Sequence, residues 1–291
     1  MDVDRRTLLT GALVGVAALA TGCRQGQRQA APVAPTPSRT SPSSAPPPPP
    51  TTAAPTPPTA EQVLARATVP VLCYHQLRDW RPADGDYARR LLICPPAVFR
   101  AQLDALAEDG WTTISPDQYL GHLTGGQPLP TKPVILSFDD AQGTQATEAL
   151  PQLVQRQMTG TFFAMTVVLD KREWLSRDDL KRLHAAGMTV GAHTWDHQRV
   201  DRYGDPDWVV QLDRPRQLLE SVIGAPVEHF AYPFGAWNAA AFPHLSSAGY
   251  RTAFQLTDQP ADPAGPVLSL RRTLVDSTWT TAELLARVRS A

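Results

Sequence analysis

From Val69 onward the chain alternates short apolar runs with segments of helical period, and this alternation constrains its fold more than any other feature. The runs Val69–His75, Pro133–Phe138, Gly160–Met165, Met188–His193, Glu228–Tyr232, Arg251–Gln255 and Leu270–Val275 read as strands. Between or after them, Pro95–Gly110, Leu150–Gln157, Asp178–Gly187, Trp208–Ile223, Ala239–Ala248 and Thr281–Arg289 read as helices. In the first of these, Phe99, Leu103 and Leu106 share one face, proline suits the first turn and Gly110 stops the helix. Pro215 is expected to kink the helix around it. Repeated β–α alternation implies a mainly parallel sheet covered by helices. About seven strands within the 231 residues after residue 60 point to an α/β barrel, with an open doubly wound sheet as the alternative.

The first 60 residues do not join this pattern. Arg5-Arg6 precedes an apolar run from Leu8 to Ala20, too short for a membrane span but suited to an export signal of twin-arginine type, read as residues 1–22. The run ends Leu19-Ala-Thr-Gly-Cys23, which resembles a bacterial lipoprotein site, with Cys23 as the lipidated residue; an ordinary thiol near a cleavage site is the plainer reading. Twelve of the 29 prolines fall between Ala31 and Ala60, where Arg39 is the one charge. Residues 23–60 therefore read as an anchor point and an unfolded, polyproline-rich linker spanning about 110 Å if extended. The expected location is the outer face of the cell membrane, reached by export and held by a lipid anchor. A formal net charge of −1 gives no reason to expect a nucleic-acid partner, and three cysteines exclude a disulfide-dense scaffold.

Two motifs sit where strands end, the place at which parallel α/β folds bind ligands. Ser137-Phe-Asp139-Asp140 puts two carboxylates side by side, an arrangement that is costly near a core unless a cation neutralises it; a solvated turn is the bland alternative. His193-Thr-Trp-Asp-His197 presents two imidazoles to one point if the segment is helical or tightly turned. Two histidines and one carboxylate suit Zn²⁺ or another divalent transition metal with open positions for water. Ala231-Tyr-Pro-Phe-Gly235, after the strand beginning near Glu228, by itself is a strand-to-loop exit.

In order and placement these motifs resemble those of the polysaccharide deacetylases, carbohydrate esterase family 4, over about Val69 to Val275 or the C-terminus. The resemblance implies a deformed (β/α) barrel over residues 61–291, a divalent metal and hydrolysis of N-acetyl groups on N-acetylglucosamine-containing envelope or exported polysaccharide. It assigns Asp140, His193 and His197 to the metal, Asp139 to the base acting on the attacking water, and the Phe234 N–H to the oxyanion. Two departures stand out. Ala231 replaces an arginine that orients the base in most members, and no histidine follows His244 to serve as the usual general acid. The opening Pro70-Val-Leu-Cys-Tyr-His75 resembles the poly-N-acetylglucosamine deacetylase branch, in which the acid role moves to the first strand, here His75.

Arg272 either replaces the missing arginine beside Asp139 or is an exposed strand-end residue. Tyr232, Trp195, Trp237 and Trp279 are candidates for stacking on sugars, against a plain packing role. Cys73 and Cys94 are expected to be free thiols. The chain is expected to act as a monomer. A glycan-binding envelope lipoprotein without catalysis, and a de-O-acetylase on the same fold, are the competing functions.

Overall fold

The computed structural model describes residues 57–257 and 259–290. The expected export signal, Cys23 and the expected linker up to residue 56 lie outside the described residues. Strands β1 (Val71–Tyr74), β2 (Thr112–Thr113), β3 (Pro133–Asp139), β4 (Thr161–Ala164), β5 (Thr189–Ala192), β6 (His229–Ala231), β7 (Thr252–Gln255), β8 (Leu270–Arg271) and β9 (Thr273–Leu274) form one sheet. Helices α1 (Ala60–Arg66), α2 (Pro96–Glu108), α3 (Pro116–Gly125), α4 (Leu150–Gln155), α5 (Arg177–Ala185), α6 (Asp205–Trp208), α7 (Arg214–Ile223), α8 (Ala241–Ala248) and α9 (Thr281–Arg289) accompany it. No helix among the described residues is long and apolar enough to cross a membrane.

Every pairing is parallel, and the order is β8-β7-β6-β5-β4-β3-β1-β9, with β2 added beside β3. The two ends of that order, β8 and β9, are consecutive in the chain and separated only by Arg272. The sheet therefore curls until its edges meet across one residue, as a deformed, nearly closed (β/α) barrel. An open doubly wound sheet would keep its edges apart. The strand expected at Leu270–Val275 is thus two short strands that pair with different partners, β7 and β1, and the count is nine rather than seven.

Side chains alternate between two faces along a strand, and here the two faces bury different cores. Val71, Ile135, Phe163, Ala231, Phe254 and Leu270 point into the barrel, where they form one apolar cluster. Their neighbours Leu72, Tyr74, Leu136, Phe138, Phe162, Phe230 and Tyr232 point outward under the helices. There Phe99 of α2 meets Tyr74 edge-on, and Tyr74, Phe138 and Phe162 stack in sequence across β1, β3 and β4 at centroid spacings of 5.6 and 4.7 Å. Gly191 keeps the interior open: a Cβ there would lie 2.5 Å from the Phe163 ring and 2.9 Å from the His229 carbonyl.

Three local features differ from the sequence reading. The helical stretch around Pro215 is interrupted earlier, by a π-helical turn at Val209–Asp213 between α6 and α7, where Pro215 in the first turn of α7 has no N–H to give. Helix α1 is capped reciprocally by Thr59 and Gln62, so the first turn of a helix overlaps the end of the segment assigned to the linker. Helix α3, not anticipated, has the same box from Ser115 and Gln118 and ends on Gly126 at φ 64°.

Candidate functional site

The site forms at the C-terminal ends of β1, β3, β5 and β6. Strand β3 delivers Asp139 and Asp140; β5 delivers His193. Asp140 and Ala141 have φ of 76° and 63°, and Thr194 and His197 both have φ of 67°. Non-glycine residues at positive φ are costly and cluster where a structure over-determines them. The His193–His197 segment is a tight turn, closed by a bond from the His197 N–H to Thr194 Oγ1 at 2.9 Å, and it brings the two rings to 4.9 Å between centroids.

His197 Nε2 lies 3.2 Å and His193 Nε2 3.5 Å from Asp140 Oδ1. The donor atoms of Asp140, His193 and His197 all fall within 4.8 Å of one another. His193 Nδ1 is 2.7 Å from the Ala231 carbonyl, which can only accept, so Nδ1 carries a proton and Nε2 is the atom turned toward Asp140. Both Nε2 atoms face the buried Asp140 Oδ1, which has no hydrogen-bond partner, so a proton on a ring or a shared cation is needed to satisfy the set. The residues fit a divalent metal, and the backbone carbonyl of Ala231 orients one ligand.

Asp139, one residue earlier, points into the barrel and is 1% exposed. Arg272 meets it fork to fork: Nη1 donates to Oδ1 and Nη2 to Oδ2, both at 2.7 Å. Nη1 also lies 3.2 Å from Ser137 Oγ, and the guanidinium sits over the Phe163 ring, 5.4 Å from its centroid. Arg272 is thus the buried partner of Asp139, not an exposed strand end. Burial alone would raise the Asp139 carboxyl, but the Arg272 charge, with His193, outweighs it and holds the carboxyl below its usual range. Cys73 Sγ also donates to Asp139 Oδ2, at 3.5 Å. Strand parity was the available signal for both contacts: Arg272 is two residues beyond the inward Leu270, and Cys73 two beyond the inward Val71.

His75 follows Cys73 by two and lies just past β1. It is 8% exposed, its Nδ1 is buried without a hydrogen-bond partner, and burial lowers its pKa despite the Asp140 and Asp139 charges. Cys73, His75 and Asp139 offer atoms within 4.8 Å of one another, so the structure brings His75 to the base. Gln145, which the sequence reading missed, donates through Nε2 to the carbonyls of both His75 (3.2 Å) and Asp139 (2.5 Å). Phe234 has φ 59° in a 3₁₀ turn whose own bonds come from the N–H groups of Gly235 and Ala236, and those bonds leave the Phe234 N–H unused. Its ring is 61% exposed and packs edge-on to His197 at 4.5 Å.

Tyr232 has to be corrected: it is fully buried on the outward side of β6, with its hydroxyl donating to the Leu268 carbonyl at 2.7 Å, and offers no face to a sugar. Trp237 packs on Phe242, and Trp279 carries Arg287 over its ring. Trp195 is 42% exposed. His244 stacks on Trp208, in the helical layer and apart from the cluster. Cys73 and Cys94 are free and buried, and burial pushes the Cys94 thiol up to about 12.

Residues 126–253 match the family model described as polysaccharide deacetylase. A Bacillus subtilis protein, YxkH, itself named for the polysaccharide deacetylases, is 22% identical over 185 residues, which cover 64% of this chain and 63% of that protein. The poly-β-1,6-N-acetyl-D-glucosamine N-deacetylase of Escherichia coli K12 is 23% identical over 240 residues, covering 67% of this chain and 36% of that protein. The chain thus spans less than two thirds of the length of either relative. Among solved structures, a Streptococcus pyogenes deacetylase in complex with acetate superposes with a TM-score of 0.69 at 22% identity, over 75% of this chain and 96% of that one, and so shares the fold. The barrel, the order of the motifs and the match over residues 126–253 agree in making this region similar to the polysaccharide deacetylases.

Proposed function

We propose that this domain is a metal-dependent hydrolase that removes N-acetyl groups from N-acetylglucosamine-containing polysaccharide. One observation carries the reading: the donor atoms of Asp140, His193 and His197 converge beside a carboxylate, Asp139, that is buried and held by an arginine. The names of the relatives, which act on N-acetylglucosamine polymers, support the substrate class.

Asp140, His193 and His197 hold the ion, of which Zn²⁺ suits the donors. What a bound divalent ion supplies here is Lewis acidity, which makes water acidic near neutral pH and polarises the acetyl carbonyl. Asp139 accepts the proton of the attacking water on a carboxylate oxygen; Arg272 keeps that carboxylate ionised and fixes its plane. The Phe234 N–H donates to the oxygen on which negative charge develops. Burial favours neutral His75 in the resting site; to act as the acid its ring first takes up a proton, and the imidazolium then gives that proton to the amine nitrogen as the C–N bond breaks and returns to the neutral form. The products are acetate and a glucosamine unit. We further propose that Cys23 carries the lipid that ties the domain to the envelope.

The test is acetate release by the metal-loaded protein from β-1,4- and β-1,6-linked N-acetylglucosamine oligomers, peptidoglycan and O-acetylated xylan. Release from the amino-sugar oligomers is the expected result; release from the xylan alone would replace the reading by de-O-acetylation. Absence of bound metal in protein purified without chelator or added metal would favour a glycan-binding role.

A further inference from the structure

The His193–His197 turn carries two of the three proposed metal ligands, and its backbone is costly: Thr194 and His197 both have φ of 67°. Such conformations persist only where the surroundings over-determine them. Part of that support comes from the segment just past β4, where the Thr166 and Val167 N–H groups donate to the Thr194 and Trp195 carbonyls at 3.3 and 2.9 Å.

Further support comes from a residue that no step above uses. Gln211 is 3% exposed. Its Oε1 accepts from the Trp195 N–H at 3.1 Å, and its Nε2 donates to Asp196 Oδ1 at 2.8 Å. One amide therefore grips two consecutive residues midway between His193 and His197. The orientation of that amide is fixed, since a backbone N–H only donates and a carboxylate only accepts. The other oxygen of Asp196 is also engaged, accepting from Gln198 Nε2 at 2.8 Å.

The backbone around Gln211 explains how it comes to face the turn. It is the middle residue of the π-helical turn Val209–Asp213, where the Arg214 N–H bonds the Val209 carbonyl, five residues back. An α-helix would bond the Gln211 carbonyl to the N–H of residue 215, and Pro215 has none. Gln211 and Leu212 are the buried residues of the wider turn. Turns of this kind are frequent at functional sites. A glutamine buried for packing alone would be a poor choice, because its amide has to be satisfied. Here both of its polar atoms are spent on the ligand-bearing turn.

We propose that Gln211 is a positioning residue for the metal site, its amide fixing the turn in the conformation that brings His193 and His197 to one ion. It acts through Trp195 and Asp196 and offers no ligand atom itself. The proposal rests on the reading of Asp140, His193 and His197 as metal ligands.

The experiment titrates Zn²⁺ into the full chain, stripped of metal by a chelator, by calorimetry, and records thermal unfolding of the same metal-free proteins. Gln211→Met keeps the bulk and removes both bonds; it should weaken Zn²⁺ binding about 10–100-fold, the usual worth of a partner that orients a ligand. Gln211→Glu keeps an acceptor for the Trp195 N–H but sets a carboxylate against Asp196, and should bind Zn²⁺ at least as weakly as Gln211→Met. Asp196→Asn keeps an acceptor for Gln211 and should stay within about threefold of the wild type. Combining Gln211→Glu with Asp196→Asn exchanges donor and acceptor, and the double variant should return to within about threefold of the wild type. A lowered melting temperature in Gln211→Met with unchanged Zn²⁺ affinity would mark a packing role and overturn the proposal. A double variant that binds Zn²⁺ no more tightly than Gln211→Glu would overturn it as well. If Gln211→Met does not fold, the comparison of Gln211→Glu with the double variant decides. A wild type that takes up no Zn²⁺ would overturn the metal reading and this proposal with it, whereas normal uptake by both the wild type and Gln211→Met would overturn the role of Gln211 alone.

Discussion

Removing one partner of the Arg272–Asp139 pair is the most direct probe of how the site is held. Both side chains are at most 1% exposed, and the pair makes two bonds of 2.7 Å. Arg272→Met keeps the chain's bulk over Phe163 but leaves Asp139 as a buried carboxylate without its counter-charge. Breaking such a pair from one side costs about 3–5 kcal/mol, because the remaining ion cannot recover its hydration. In a domain of this size each kcal/mol moves the melting temperature by about 2–4 °C, so a fall of roughly 6–20 °C is expected. The measurement is thermal unfolding of metal-free protein, where ion binding cannot mask the loss. Adding Asp139→Asn removes the stranded charge, and the double variant should regain about 1–3 kcal/mol over the single one. Arg272→Lys should fall between, since an ammonium keeps the charge and loses the fork. A melting temperature for Arg272→Met within about 2 °C of the wild type, or a double variant no more stable than the single, would refute the view that this pair is a buried, mutually dependent unit.

Three further outcomes follow from the same geometry. His193→Ala should bind metal at least about 100-fold more weakly, read by metal content after dialysis, and equimolar metal in that variant would end the ligand assignment. His75→Ala should slow release of acetate from N-acetylglucosamine oligomers by about 10²–10⁴-fold and have far less effect on an aryl acetate, whose leaving group needs no proton; equal losses on both substrates would remove His75 from the acid role. If Cys23 carries the proposed lipid, Cys23→Ser should move the protein from the detergent phase to the aqueous phase, whereas identical partitioning would mean that Cys23 bears no lipid.

What the sequence by itself determined is what depends on near neighbours. Apolar runs bounded by glycine and proline marked the principal strands and helices, because buried parallel strands need continuous apolar residues and turns need special backbone. The three proposed metal ligands come from two short motifs, since Asp139-Asp140 and His193–His197 each act within five residues. Helices α1 and α3 were missed although their capping residues were in view; both are short and depend on packing more than on propensity. What lay beyond the sequence were relations across distance. Arg272 and Asp139 are 133 positions apart, and nothing local distinguishes a strand-end arginine in water from one locked to a carboxylate. Tertiary structure decided it by splitting the last strand at Arg272, so that closing the barrel turns that side chain inward. The same closure made strand parity meaningful, sending Ala231, Cys73 and Asp139 to the interior and Tyr232 to the helices. The Gln211 amide likewise reaches Trp195 and Asp196 only because the π-helical turn is packed beside the end of β5, a juxtaposition that no single stretch of chain encodes.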